Sequence, residues 1–281
     1  MPRIATFDFN SFDGSSDEDA EFNRFKESPN RARESGRCLN PPWDAPFAYW
    51  TMDADDGDEI IIPAANFTPS GDVASDGSLV TLSDAGTLLR SDAELRVPSS
   101  DFTVRLYSAL ERPETTFSPS SGTRYIFWSG TPRSSSEVDG DGGPSGTSGI
   151  TGAAILWTPA ALNDFAFLTF IVSAGARVGR VSTQIFTPWN RTHIVAIFRT
   201  TDSRMELWAN GTLAEGKDAV PIPTPDSDDL GLSNKNGLPL PSNLDGNPDF
   251  VTADSLGLWH YAWSPNAVLC DYLLSGPDPK G

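Results

Sequence analysis

The segment 189–213, WNRTHIVAIFRTTDSRMELWANGTL, constrains the fold more than any other part of the sequence. Residues 193–198 are apolar and rich in β-branched and aromatic side chains, which favours the interior of a strand. The polar run TTDS that follows has side chains that bond the backbone in turns. Residues 205–209 then alternate between apolar and polar, and Asn210-Gly211 favours a tight turn with positive φ. The segment therefore predicts a β-hairpin followed by another strand.

Strand-like runs recur through most of the chain, separated by loops rich in Gly, Ser and Asp. The runs are residues 79–82, 93–97, 102–110, 124–128, 153–157, 165–172, 176–186 and 256–261. The 24 glycines and 23 prolines indicate many turns, and the longest loops are residues 134–148 and 221–249. Regular strands with hardly any helix predict an all-β fold, a two-sheet antiparallel sandwich.

Four motifs occur in an order that resembles laminin-G-like and concanavalin-A-like jelly-roll domains. They are the hairpin with its W-x-H start and N-G end, DFTVRLY at 101–107, YIFWSG at 125–130 and LGLWHYAWSP at 256–265. The resemblance covers residues 75–275. It implies a jelly-roll sandwich over residues 41–281, with a closing strand and turn at the last motif.

Residues 1–40 differ from the rest because they are mostly polar and charged. Such a segment cannot bury enough apolar surface to become ordered alone. We therefore expect an N-terminal arm that packs on the sandwich or on a neighbouring subunit, and we favour the neighbour. The first 22 residues lack the apolar stretch of a signal peptide, so we expect the chain not to use general secretion unless a signal was removed.

The net charge is -18, from 38 acidic and 20 basic residues. Nucleic acid and anionic membranes would repel such a chain. No run approaches the roughly 18 apolar residues that span a bilayer. We therefore predict no nucleic-acid partner and no membrane insertion.

Glycosidases on this fold need two carboxylates on one strand face, yet the nearest pair, Glu111 and Glu114, is interrupted by Pro113. Residues 93–96 (AELR) and 184–186 (QIF) resemble motifs of alginate-lyase relatives. In those relatives an arginine stands where this chain has Asp92, and the base histidine stands where it has Phe186. A polysaccharide lyase or glycosidase is therefore the least favoured function, and we predict that the protein is not an enzyme.

The two histidines, His193 and His260, are too few for a zinc site, and no G-x-S-x-G motif offers a nucleophilic serine. We interpret both histidines as structural, in the core or at the surface. The two cysteines, Cys38 and Cys270, leave two alternatives: a disulfide, or two separate buried thiols, which we favour.

Calcium is the most credible ion, since related sandwiches often bind it at a loop edge. The candidate ligands are the carboxylates of Asp53, Asp55, Asp58, Asp139 and Asp141. The acidic segments fit no EF-hand register. The favoured alternative is a pair of solvated acidic loops.

Carbohydrate binding would use exposed aromatic rings that stack on sugar faces, and Trp189 and Trp263 are the preferred candidates among eight tryptophans. The alternative for each is a place in the core.

We interpret the chain as a non-enzymatic structural protein of a virion: a capsid decoration, turret or fibre-base subunit. Its partners would be other virion proteins or copies of itself, bound through residues 1–40, and host surface glycans. The main alternative is a carbohydrate-binding module or lectin of a cell-surface or secreted protein, which would be extracellular.

Overall fold

The computed structural model describes residues 46–50, 60–62, 67–75, 80–91, 93–111, 124–130, 151–159, 165–174, 177–233 and 250–275. These ranges hold fourteen strands and one helix. The strands are β1 (Ala48–Trp50), β2 (Ile60–Ile62), β3 (Thr68–Ser75), β4 (Val80–Ser91), β5 (Phe102–Glu111), β6 (Arg124–Ser129), β7 (Gly152–Pro159), β8 (Ala166–Ala174), β9 (Arg177–Ile185), β10 (Thr192–Arg199), β11 (Arg204–Ala209), β12 (Thr212–Lys217), β13 (Asp229–Ser233) and β14 (Phe250–Trp259). The helix is α1 (Pro265–Ser275).

The strands form two antiparallel layers that are joined by β4. The front layer runs β12-β11-β10-β5-β14, with β1 and β2 on its far side, and the back layer runs β13-β6-β7-β8-β9. The first residues of β4 pair with β14 and its last residues pair with β13. A strand that changes layers in this way forms a corner between two packed sheets. The predicted all-β, two-sheet antiparallel sandwich is confirmed.

The predicted hairpin is β10 and β11, paired from Ile194 opposite Ala209 to Arg199 opposite Arg204. Asn210 and Gly211 both have positive φ, 51° and 72°, and they turn the chain into β12. Glycine and asparagine tolerate this left-handed conformation best, which is why the N-G pair ends the strand.

The main core lies between the layers and is filled by alternate residues of each strand. β5 contributes Phe102, Val104 and Leu106, and β8 contributes Leu168 and Phe170. The residues between them on each strand face outward, as the two-residue period of a strand requires. A second apolar cluster lies outside the front layer, beneath α1.

Two predictions about the chain's elements are wrong. Residues 93–97 are a turn rather than a strand, although Leu95 and Val97 are buried in the core. The Val97 amide donates to the side-chain hydroxyl of Ser129, at 2.9 Å, rather than to a backbone carbonyl of a strand ladder. The predicted loop 221–249 contains β13. The expected closing strand and turn are present, and helix α1 follows the turn.

The predicted N-terminal arm, residues 1–40, lies outside the described residues. Cys270 is buried in α1 and is disulfide-bonded, so the favoured interpretation of two separate thiols is wrong. Cys38, the other cysteine of the sequence, falls outside the described ranges. Within those ranges, no helix has the length and apolar character needed to cross a membrane.

Candidate functional site

Four aromatic side chains lie where β8 begins and β9 ends, and we call them the aromatic edge: Phe167, Phe186 and Trp189, which are exposed, and Phe165, which is half-buried. The exposed fraction is 37% for Phe167, 69% for Phe186 and 43% for Trp189. The ring centroid of Phe165 lies 5.5 Å from that of Phe167 and 6.2 Å from that of Phe186. Large apolar side chains that remain exposed next to one another mark binding surfaces more often than isolated ones do.

The strand register places these rings together. Ala166 pairs with Ile185, so the residues beyond that pair, Phe165 and Phe186, leave the ladder at the same point. Ala166 and Leu168 point into the core, and Phe167 between them therefore points outward.

A short loop holds Trp189 three residues after Phe186. Its turn is closed by the Asn190 amide, which donates to the Thr187 carbonyl at 3.0 Å. Pro188 is buried, and its carbonyl accepts from the Leu110 amide at 2.7 Å, which fastens the loop to the end of β5. With Pro188 directed inward, the residues on either side of it remain exposed.

Polar side chains surround the aromatic edge. Gln184 pairs with Phe167 across the β8–β9 ladder, and it is exposed together with Thr187 and Asn190. An amide or hydroxyl beside an aromatic face is the combination that recognises a sugar, since the ring packs against C–H groups while the polar groups bond to hydroxyls. The aromatic edge can therefore bind a polar ligand that has one apolar face.

Of the two tryptophans predicted to stack on sugars, Trp189 is exposed and Trp263 is not. Trp263 is 1% exposed and packs in the cluster beneath α1. The backbone of Trp263 is also held in place: its amide donates to the Thr103 hydroxyl at 3.0 Å, and its carbonyl accepts from the Arg199 side chain at 2.6 Å. The prediction for Trp263 is corrected: it is a core residue.

The predicted calcium ligands Asp53, Asp55, Asp58, Asp139 and Asp141 all lie outside the described residues. In the part of the chain that the structure describes, no group of three or more His, Cys, Asp or Glu side chains could hold a metal ion.

A buried polar cluster lies between α1 and the front layer. The carboxylate oxygen Oδ2 of Asp271 on α1 lies 2.6 Å from His193 Nε2 and 2.8 Å from Arg105 Nε. Arg105 Nη1 donates to the Ser255 carbonyl at 2.9 Å. Each of these side chains is at least nine-tenths buried, so an ionised carboxylate and a guanidinium neutralise each other out of contact with water.

Burial and pairing shift the pKa values in this cluster. Burial lowers the pKa of His193, and its contact with Asp271 offsets that effect only in part. Burial would raise the pKa of Asp271, but the hydrogen bond with His193 and the charge of Arg105 outweigh it and hold that pKa below the ordinary value. The cluster therefore contains a neutral histidine, a carboxylate and a guanidinium.

His193 and Asp271 cannot serve as a catalytic pair for an external substrate, because His193 is fully buried. The prediction that both histidines are structural agrees with their positions. His260 is at the surface, where its ring stacks on Phe47 at a centroid distance of 3.8 Å.

Sequence reasoning missed Arg105 and Asp271. The available signal was a single charged residue in each of two otherwise apolar stretches, TVRLY and VLCDYLL. A lone charge of this kind is buried only when it has a partner.

No protein-family model and no curated protein matches the chain in sequence. Its structure is similar to several solved binding domains of botulinum neurotoxins. The serotype G binding domain is 9% identical, with a TM-score of 0.58 over 82% of this chain and 51% of that chain. The serotype D ligand-binding domain, solved with N-acetylneuraminic acid, is 9% identical, with a TM-score of 0.57 over 81% of this chain and 50% of that one.

A third similar structure belongs to botulinum neurotoxin type C, whose cell entry depends on interaction with two ganglioside molecules. It is 11% identical, with a TM-score of 0.57 over 80% of this chain and 50% of that chain. The chain thus spans about half the length of each structure. At these identities the likeness shows a shared β-sandwich fold.

Proposed function

We propose that the protein is a non-enzymatic carbohydrate-binding protein that recognises glycans through the aromatic edge. The observation that carries the proposal is the group of exposed rings at one end of the back layer, with Phe186 and Trp189 the most exposed of them. Exposed rings of this size are costly in water unless a ligand covers them, and burying one against a sugar removes apolar surface from solvent.

The rigidity of the edge supports this role. Phe165 and Phe167 stand at the start of a strand, and the loop that carries Trp189 is fastened to β5 by the Pro188 carbonyl. A site whose rings are already positioned loses little conformational entropy on binding. The chain is similar in fold to a domain solved with N-acetylneuraminic acid and to a domain of a toxin whose cell entry depends on gangliosides, and both similarities agree with a glycan ligand.

Binding to a glycan array, followed by titration of the best glycan in calcium and in chelator, tests the proposal. We expect Trp189→Ala and Phe186→Ala each to weaken binding by about 5-fold to 150-fold, since loss of one sugar-stacking ring removes about 1–3 kcal/mol. Calcium dependence would support the predicted loop ligands, including Asp53 and Asp139, as a second part of the site.

Ile222→Ala is the matched control. Ile222 is as exposed as Trp189, at 42%, but it lies near Ser173 at the other end of β8, where the Thr224 amide donates to the Ser173 carbonyl. Six residues of strand from Phe167 to Ser173 separate the two positions by about 20 Å. Equal loss of binding in Ile222→Ala and Trp189→Ala would contradict recognition at the aromatic edge.

The virion role is a second candidate, and what favours it is the sequence of residues 1–40 together with the net charge of -18. In this proposal the polar arm binds other virion proteins or further copies of the chain, and the sandwich presents the aromatic edge to host glycans. The protein would then be located on the virion surface, whereas a lectin outside a virion would be extracellular.

Deletion of residues 1–40 separates the two candidates. If the arm mediates assembly, analytical ultracentrifugation will show smaller assemblies after the deletion while glycan binding stays unchanged. Unchanged assembly after the deletion would contradict the arm as an assembly segment and leave the glycan-binding proposal intact.

A further inference from the structure

We propose that the contact between His193 and Asp271 is an acid-sensitive latch: it holds α1 on the front layer, and uptake of one proton by His193 undocks the helix. The inference concerns a part of the molecule away from the aromatic edge and does not depend on glycan binding.

Asp271 makes the polar contacts that fasten the helix to the sheet. Its Oδ2 atom meets His193 Nε2 of β10 at 2.6 Å and Arg105 Nε of β5 at 2.8 Å. Ala267 and Val268 of the helix pack in the apolar cluster on the same face of the sheet. A change in the charge of the cluster therefore acts directly on the docking of α1.

The two nitrogens of His193 have different surroundings. Because the Asp271 carboxylate accepts, Nε2 carries the proton of the neutral ring. Nδ1 is buried and has no hydrogen-bond partner among the described residues. A second proton would create a buried N–H without an acceptor there, and such a group is strongly disfavoured.

Charges around His193 are balanced only when its ring is neutral. The cations are Arg105 and Arg191, and the anions are Asp271 and Asp254, which pairs with Arg191. Protonation of His193 would place a third cation against two anions, directly beside a guanidinium and a carboxylate that are more than nine-tenths buried. Like charges at these distances repel strongly when they are poorly solvated.

The Tyr107 ring of β5 already faces both cations. The guanidinium carbons of Arg105 and Arg191 lie 4.8 Å and 4.7 Å from the ring centroid. The His193 ring lies beside the same tyrosine, with centroids 5.1 Å apart. A charged His193 would therefore compete with two other cations for a cation–π interaction with this ring.

The other side chains near the cluster are two tyrosines and an asparagine. Tyr272 of α1 lies 5.7 Å from the His193 ring, between centroids, and Tyr49 of β1 interacts with Arg105. On the side of β11 the neighbour is Asn210, which bonds the His193 backbone through its amide and its side chain. None of these three side chains is a carboxylate.

Undocking would relieve the imbalance and uncover apolar surface. Water would then reach His193, whose pKa returns toward 6.5 once it is solvated, above its value in the docked state. Protons therefore favour the undocked state as the pH falls below about 6.5. The surface uncovered is the cluster on the front layer, which contains Val195, Ile197, Trp208 and Trp259.

Hydrogen exchange on the full, oxidised chain tests the latch, since Cys270 on the same helix is disulfide-bonded. Protection of the 266–275 amides is compared at pH 7.5 and 5.5 after correction for intrinsic exchange. Opening that takes up one proton changes by up to tenfold for each pH unit, so we expect protection to fall about tenfold over this range. Protection of β7 and β8 in the main core should change less.

Two variants sharpen the test. His193→Gln places an amide donor where Nε2 stands but cannot take up a proton, so protection of α1 should become independent of pH over this range. His260→Gln, which changes the other histidine, should behave like the wild type. If the protection of α1 fell as much in His193→Gln as in the wild type between pH 7.5 and 5.5, the proposal would be overturned.

Proton NMR of the unmodified protein gives an independent answer if His193→Gln does not fold. The chain has two histidines, so two ring C–H signals can be followed during acidification. We expect the His193 signal to resist titration through pH 6.5 until exchange of α1 accelerates. Ordinary titration of His193 at or above pH 6.5 with α1 still protected would refute the latch.

Discussion

The rings of Trp259 and Trp263 meet edge to face, with centroids 4.4 Å apart and an interplanar angle of 64°. Trp259 is the last residue of β14 and Trp263 stands just before α1, so this contact closes the turn between strand and helix. Both rings belong to the apolar cluster on the outer face of the front layer. The contact explains why α1 covers the sheet instead of extending into solvent.

Trp263→Ala should lower the free energy of unfolding by about 3–5 kcal/mol, because it opens a cavity in this cluster. Trp189→Ala should change it by less than about 0.5 kcal/mol, because that ring is 43% exposed. Urea denaturation followed by circular dichroism measures both values. Similar losses in the two variants would contradict the assignment of Trp263 to the core and of Trp189 to the surface.

Sequence patterns predicted the sandwich because each strand buries one face. The alternation at residues 205–209 and the N-G pair are local features, and they specify β11 and its turn without knowledge of the rest of the fold. Residues 93–97 show the limit of that reasoning. Leu95 and Val97 alternate like strand residues and are buried, but a turn achieves the same burial.

Helix α1 could have been recognised from its start. The Ser264 hydroxyl accepts from the Ala267 amide at 3.2 Å, and Pro265 occupies the first helical position. Serine followed by proline is a strong signal for a helix N-terminus. The short apolar run that follows fits a strand as well as a helix, and the family resemblance favoured a closing turn.

Only Trp189 of the aromatic edge was predicted. Phe165, Phe167 and Phe186 lie at the ends of apolar runs, where sequence alone does not say which face the second layer covers. The register of β8 against β9 decides it, since that register brings Phe165 and Phe186 out of the ladder together.

Asp271→Asn should destabilise the protein by about 3–5 kcal/mol, because it leaves the Arg105 guanidinium buried without its counter-charge. Arg96→Gln is the control, since Arg96 pairs with Asp228 at the surface and its loss should cost no more than about 1 kcal/mol. Chemical denaturation at pH 7 compares the two variants. A cost for Asp271→Asn as small as that for Arg96→Gln would show that the buried pair contributes little.

Asp271 also makes a contribution to the free energy of unfolding that depends on pH. Its pKa in the folded state lies below the ordinary value near 3.8, so its ionised form stabilises the fold above pH 3.8. That stability is lost as the pH falls through the folded pKa. Asp271→Asn should therefore flatten the acid limb of the stability profile below about pH 4, measured by urea denaturation at each pH. An unchanged acid limb would contradict this contribution.

Gly152→Ala should cost more than about 1 kcal/mol, for two reasons. Gly152 has a φ of 102°, which L-residues with a side chain rarely adopt, and an added Cβ would overlap the Ser129 carbonyl oxygen. Gly216→Ala is the control, because the nearest atom to its Cβ would be the end of the Arg204 side chain, which can shift. Thermal denaturation distinguishes them, and equal melting temperatures would contradict the steric argument.

Ser264→Ala should loosen α1 without changing its response to acid. Loss of the capping hydroxyl removes a bond to the Ala267 amide and destabilises a helix by about 0.5–2 kcal/mol. Exchange of the 266–275 amides should therefore accelerate at every pH, while the dependence on pH that His193 confers stays the same. His193→Gln should show the opposite pattern, with the pH dependence lost. If Ser264→Ala also removed the pH dependence, the acid response would belong to the helix itself and not to the contact between His193 and Asp271.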